Sequence, residues 1–183
     1  MTAEGRIVET YDKHHLVPFG EYIPFKKLLP ISSLAGRLDF SAGTGRRTLA
    51  VPGLPAVTPL ICYEAVFPGR AKPDQLRDRP GWLLNITNDA WFGISTGPYQ
   101  HFAKAIFRAV ETNLYVLRSA NKGISAIINN KGLIIKKLEP FEAGNIELEV
   151  PLIKNENRNR NDLIFFVLLI TYIFIFRIYK TNK

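Results

Sequence analysis

Three groups of residues in this chain could do chemistry. The first is Cys62, the one cysteine of 183 residues. It closes the apolar run "AVTPLIC" and is followed by Tyr63 and Glu64. A thiol with a pKa of about 8.5 is only a few per cent thiolate at neutral pH. A helix N-terminus and a neighbouring lysine both raise that fraction. The second group is "YDKHHLVPFGEY", where Lys13 lies eight residues before Glu21 in a loop stiffened by Pro18 and Gly20. Glu21 could hold the ammonium in place. The third is Asn88-Asp89-Ala90-Trp91, after the apolar run "GWLLNITN". Glu64 reads two ways, as a first-turn glutamate favoured by the helix dipole or as a functional group beside the thiol. His14 and His15 are adjacent and point apart, and with His101 they make no metal-ligand spacing, so no metal is assigned.

These groups need elements to position them. Residues 6–12 alternate as a strand, and "HLVPFGEYIPF" reads as a loop or short turns. Residues 26–50 are irregular, with Gly36, Gly43 and Gly45. "AVTPLIC" is a buried strand and "EAVFPGRA" a short helix or turn. "GWLLNITN" is a second strand. "GPYQHFAKAIFRAVETN" is the clearest helix, with Phe102, Ile106, Ala109 and Val110 on one face and Lys104, Arg108 and Glu111 pointing away. "LYVLRSAN" is a strand, "GISAIINNKGLIIKKLE" a hairpin turning at Asn129 to Gly132, and "NIELEVPL" a last alternating strand. Strands alternating with helices predict an α/β layered fold, whose functional groups gather at the carboxyl ends of strands. Lys13, Cys62 and Asn88-Trp91 each follow one.

Composition bounds the rest. Apolar residues are 46% and charged residues 22%, the values of a globular chain. A lone cysteine forms no internal disulfide. Residues 1–153 hold 18 basic and 14 acidic side chains, whereas residues 154–183 hold 6 and 2. The basic excess before residue 154 is small and scattered, a poor fit to nucleic-acid binding. The tail's charges flank "LIFFVLLITYIFIF", Leu163 to Phe176, 14 residues without charge. A spanning helix needs about 20 apolar residues, with about 17 as the lower limit. That limit is reached by carrying on to Tyr179 with Arg177 snorkelling. A C-terminal membrane helix is the expectation, with its orientation open because basic residues lie on both sides. Residues 1–15 have no apolar signal-peptide region and read like the middle of a domain.

"YDKHHLVPFGEYIP", "ICYEAVFP", "LLNITNDAWFGISTGPYQH" and "FRAVETNLYVLRSANKGISAIINNKG" together resemble the apolipoprotein N-acyltransferases, a membrane-bound branch of the nitrilase superfamily. The resemblance runs over most of residues 5–153. It implies a partial α-β-β-α nitrilase-type sandwich over residues 1–153 and a last membrane helix in residues 154–183. It implies Cys62 as the nucleophile that takes an acyl chain from phospholipid as a thioester. Lys13 would stabilise the oxyanion, and Glu21 would support the lysine. Tyr63, Glu64 and Trp91 would lie in the substrate-binding region. The acceptor would be the N-terminal amine of a diacylglyceryl-cysteine apolipoprotein. No cofactor is implied, and the place is the bacterial inner membrane, with the domain on its outer face.

The departure from the family pattern concerns the general base. The family's triad glutamate precedes the lysine on an earlier strand, after a bundle of membrane helices. Here 12 residues precede Lys13, and Glu4 and Glu9 are the candidates, neither in that motif. The expectation is therefore a chain resembling the C-terminal part of such an enzyme, with little activity alone. Two other readings stay open. One is a soluble carbon–nitrogen hydrolase acting on a small amide. The other is a non-catalytic remnant, or a subunit completing a separately encoded N-terminal half.

Overall fold

A computed structural model describes residues 4–25, 40–71, 80–153 and 162–181. The chain divides into two compact units, residues 1–153 and residues 154–183.

The first unit is built on a mixed five-stranded sheet in the order β1-β2-β3-β4-β5. Its strands are β1 Val57–Ile61, β2 Trp82–Asn88, β3 Tyr115–Asn121, β4 Ser125–Ile128 and β5 Ile134–Leu138. The first three are parallel, with Leu60 opposite Asn85 and Asn85 opposite Arg118. The last three run antiparallel. The parallel strands read as apolar runs, as strands covered on both faces do. The step from β2 to β3 crosses over through α1, Gly97–Thr112, as parallel neighbours require.

Helix α1 starts with Pro98 in its first turn and stops at Asn113, which takes the left-handed conformation (φ 57°). Asn tolerates that region, and its N–H closes the last turn on the Ala109 carbonyl. Phe102, Ala105 and Ala109 are buried in one cluster with Leu60, Leu83 and Val116 from three strands. Two alanines on that stripe let the helix approach the sheet closely.

Several expectations need correction. Residues 6–12 form no strand, and Ile7 and Val8 lie exposed. "NIELEVPL" is likewise not a strand. In both, alternation supplied the propensity, but a strand also needs a partner edge. On α1, Arg108 is buried and Val110 is exposed. Arg108 is accommodated because its guanidinium meets the Phe67 carbonyl and the Glu111 carboxylate. The reading of residues 26–50 as irregular falls largely on 26–39, outside the described residues, as do Lys154, Arg158, Arg160 and Lys183.

The second unit contains α2, Asp162–Thr181. Among the described residues no helix is long and apolar enough to cross a membrane, so the expected C-terminal span is not supported. The uncharged run is shorter than the lower limit of about 17 residues, and Arg177 and Lys180 interrupt its extension. The apolar side chains of α2 are nonetheless exposed on every side, from Ile164 to Tyr179.

Candidate active site

Cys62 stands where β1 ends and a 3-10 turn, Cys62–Val66, begins. Its φ is +51°. A left-handed non-glycine residue costs about 1–3 kcal/mol and persists only where its surroundings dictate it. They do so here through three side chains on three successive residues. The Leu60 carbonyl accepts from Asn85 Nδ2 at 2.8 Å. The Ile61 N–H donates to Glu64 Oε2 at 2.7 Å. The Cys62 carbonyl lies 3.1 Å from His101 Nε2. A carbonyl only accepts, so that ring nitrogen is the donor.

Behind the elbow lies a buried polar network. Asp89 Oδ1 accepts from Thr87 Oγ1 at 2.9 Å and lies 2.8 Å from His101 Nδ1. Asp89 Oδ2 accepts from Arg118 Nη2 at 2.6 Å. Arg118 also donates Nη1 to Asn85 Oδ1 and Nε to the Ile124 carbonyl. The Arg118 and Asp89 side chains are both fully buried. Burial pushes the Asp89 carboxyl up, but the His101 hydrogen bond and the Arg118 guanidinium outweigh it and hold it below its ordinary value. Gly123 makes room for this carboxylate. A Cβ there would come within 2.7 Å of Asp89 Cβ.

The lysine loop is joined to the elbow through Glu64. Its carboxylate accepts from the Tyr11 hydroxyl at 3.0 Å and from the backbone N–H groups of His14 and His15 at 2.8 and 3.1 Å. Expected beside the substrate, Glu64 is instead buried, and it is not among the residues lining the cavity described below. Lys13 Nζ donates to both Glu21 oxygens at 2.6 and 2.7 Å, and Glu21 also takes the Val17 N–H at 2.8 Å. The Lys13 carbonyl accepts from Gly43 N, which pins the loop on its other side. His15 packs on Phe67 with ring centroids 4.0 Å apart. Burial, then the charges of Arg70 and His14, lower its pKa from the ordinary value, so it is neutral at pH 7. Glu9, considered as a base, is exposed and accepts from Ala50 N at 2.8 Å.

Cys62 opens onto a cavity of about 410 Å3, lined mainly by apolar groups from Val17, Tyr63, Val66, Trp91 and Phe92. Glu21 is its one carboxylate among the described residues, and Lys104 its one lysine. Trp91 is 76% exposed at the cavity and Tyr63 stacks edge-on against Phe67 at 4.9 Å. The structure therefore gathers Cys62, Tyr63, Glu21 and Trp91 at one cavity, with Lys13 held on Glu21. Sequence reasoning missed His101, Arg118 and Asn85 as site residues. One signal was available: residues 101, 105, 108 and 112 mark a helical stripe carrying His, Arg and Thr among small apolar residues. Polar groups on a buried stripe need partners beneath it.

A thiol on a left-handed turn at a strand end, sharing a cavity with the carboxylate that holds a lysine, is an arrangement suited to covalent intermediates on cysteine. The chain belongs to the carbon-nitrogen hydrolase family, whose profile matches residues 1–154. Curated relatives include the apolipoprotein N-acyltransferase of Bradyrhizobium diazoefficiens, 46% identical over 154 residues, which cover 81% of this chain and 28% of the relative. The enzyme of the same name from Rhizobium leguminosarum bv. trifolii is 49% identical over 150 residues, 80% of this chain and 28% of the relative. The resemblance read from the motifs thus agrees with the names of these relatives. The chain spans little more than a quarter of their length. Among solved structures, a cysteine-to-serine variant of the Nesterenkonia AN1 amidase from the nitrilase superfamily superposes with a TM-score of 0.50 at 22% identity. The match covers 75% of this chain and 49% of that one, and is a likeness of fold.

Proposed function

We propose that this chain carries the nucleophile of a lipoprotein N-acyltransferase. The Cys62 sulfur attacks an ester carbonyl of a phospholipid. The thiol proton leaves, the negative charge develops on the carbonyl oxygen beside Lys13, and the lysophospholipid departs with a proton. The N-terminal amine of a diacylglyceryl-cysteine lipoprotein then attacks the thioester, and the thiol is regenerated. Lys13 acts as the oxyanion partner, a role for which Glu21 orients its ammonium. The observation that carries this reading is the apolar cavity at the Cys62 elbow, which suits an acyl chain better than a small polar amide.

The chain alone turns over slowly in this reading. Glu21, the carboxylate at the cavity, is engaged by Lys13, so the thiol proton has no evident acceptor among the cavity carboxylates. A missing base costs about 10²–10⁴-fold. A separately encoded polypeptide supplying a glutamate would restore that factor. The place of action is the outer face of a bacterial inner membrane. Helix α2, apolar and exposed on all sides, is the element that would hold the chain to the bilayer.

The test is mass spectrometry of the intact chain after incubation with phospholipid vesicles. An acyl mass increment on Cys62, absent in Cys62→Ala and discharged by a diacylglyceryl-cysteine peptide, is expected. An unmodified Cys62 together with release of ammonia from small amides would replace the acyltransferase with an amidase.

A further inference from the structure

The elbow that presents Cys62 is fastened from behind by one buried guanidinium. We propose that His101 is a positioning residue for the nucleophile, held by Asp89 and Arg118 so that its Nε2–H fixes the Cys62 carbonyl and with it the left-handed turn. The inference rests on Cys62 being the nucleophile of the proposed acyl transfer, but it does not depend on which acyl donor is used.

The argument runs outward from the backbone. Left-handed φ at a residue with a Cβ is unfavourable, so the turn needs specific contacts that other conformations lose. Two of the three contacts found, from Asn85 and His101, come from side chains tied to Arg118. Arg118 bonds Asn85 directly and His101 through Asp89. Asn85 sits on β2, Arg118 on β3 and His101 on α1. The conformation of the last residues of β1 is thereby dictated by three other elements of the unit.

His101 is not a free base. Its Nε2 is committed to the Cys62 carbonyl and its Nδ1 faces the Asp89 carboxylate. It is 5% exposed and contacts Phe92 at a ring-centroid distance of 5.8 Å, so it cannot swing toward bulk water without breaking both bonds. His101 is also part of the cavity wall, but both its ring nitrogens are engaged by the protein, so the imidazole acts through the cysteine backbone. The rest of the network has the same purpose. Thr87 and Arg118 occupy the Asp89 oxygens and leave the carboxylate one orientation in which to meet the ring.

The experiment compares variants of the full chain by the rate at which iodoacetamide alkylates Cys62, with circular dichroism to confirm folding. Alkylation needs neither lipid nor lipoprotein, so its outcome is separate from that of the acyltransferase reading. His101→Phe keeps a ring against Phe92 but has no donor, and slows alkylation by about 10-fold or more. His101→Gln keeps an N–H that reaches the carbonyl and restores the rate to within about threefold. A folded His101→Phe that reacts at the wild-type rate overturns the proposal, as does a folded His101→Gln no faster than His101→Phe. If His101→Phe does not fold, the same comparison is made with His101→Asn, whose amide is one methylene too short. Equal rates for Asn and Gln overturn it, and a faster Gln variant supports it.

Discussion

The buried floor behind the Cys62 elbow, and the apolar rim formed by the cavity wall and the exposed turn after β2, are built by opposite rules. The floor is polar and closed. Arg118, Asp89, Asn85 and His101 are each at most 5% exposed, and each hydrogen-bonds another side chain or the elbow backbone. The rim is apolar and open. Trp91 is 76% exposed and its neighbour Ile94 is 97% exposed. The contrast teaches that precision and affinity have been separated. Groups that hold one geometry are tied to strands and α1, and the exposed apolar groups lie on turns. Precision needs many partners per side chain, whereas apolar contact needs only area.

The contrast can be broken first at the floor. Replacing Arg118 by Met removes the hub and leaves Asp89 without its cationic partner in the interior. The loss of one member of a buried pair costs about 3–5 kcal/mol. Arg118→Met is therefore expected to lower the urea midpoint by most of the unit's margin. An unchanged midpoint would show that the network contributes no stability. In the lysine loop, Lys13→Ala is expected to reduce thioester formation about 10²–10³-fold, the usual loss when one oxyanion partner is removed. Its unfolding midpoint should change far less than that of Arg118→Met.

Acid gives a third, smaller comparison. The folded pKa of Asp89 lies below its ordinary value of 3.8, so the unfolded state binds the proton more readily. The contribution is fully present above that value and is lost as pH falls through the lower folded value. Urea midpoints measured from pH 6 to pH 2 should therefore decline below about 3.8, with a shallower decline in Asp89→Asn. The smallest effect is at the rim. Ile94→Ser should alter stability by no more than about 0.5 kcal/mol, while weakening retention of long-chain but not short-chain acyl donors. Equal weakening for both chain lengths would assign Ile94 no part in the apolar surface.

Much of this arrangement is legible in the sequence. "AVTPLIC" and "GWLLNITN" are short apolar runs bounded by Gly and Pro, and they are strands β1 and β2. The 3.6-residue period of residues 97–113 is α1, and Asn129 to Gly132 closes the β4–β5 turn. Cys62, Tyr63 and Trp91 meet at one cavity because they follow the ends of β1 and β2, and Glu21 reaches the same cavity from the lysine loop, which follows no strand among the described residues. The floor was less legible because its members come from β2, β3, α1 and the turn after β2, and local periodicity carries no information about such meetings. Glu64 illustrates the limit. Its residue type left two readings open, a first-turn glutamate or a functional group beside the thiol, and its carboxylate is taken by the nearby Ile61 N–H together with the Tyr11 hydroxyl and the N–H groups of His14 and His15 from the distant lysine loop. Ile7 and Val8 show the converse, where alternation was present and no pairing followed.

Gly123 extends the reach of the site beyond anything its distance in sequence from Cys62 suggests. It carries no functional group, yet the space a methyl would occupy there is already filled by the Asp89 carboxyl group. A Gly123→Ala chain would have to displace that carboxylate, and with it the ring that steadies the thiol. Such a substitution, one methyl added at a buried glycine of the β3–β4 turn, would behave as a lesion of the Cys62 elbow. Screens that score mutations by proximity to the cysteine would pass it, and a thiol-reactivity screen would not.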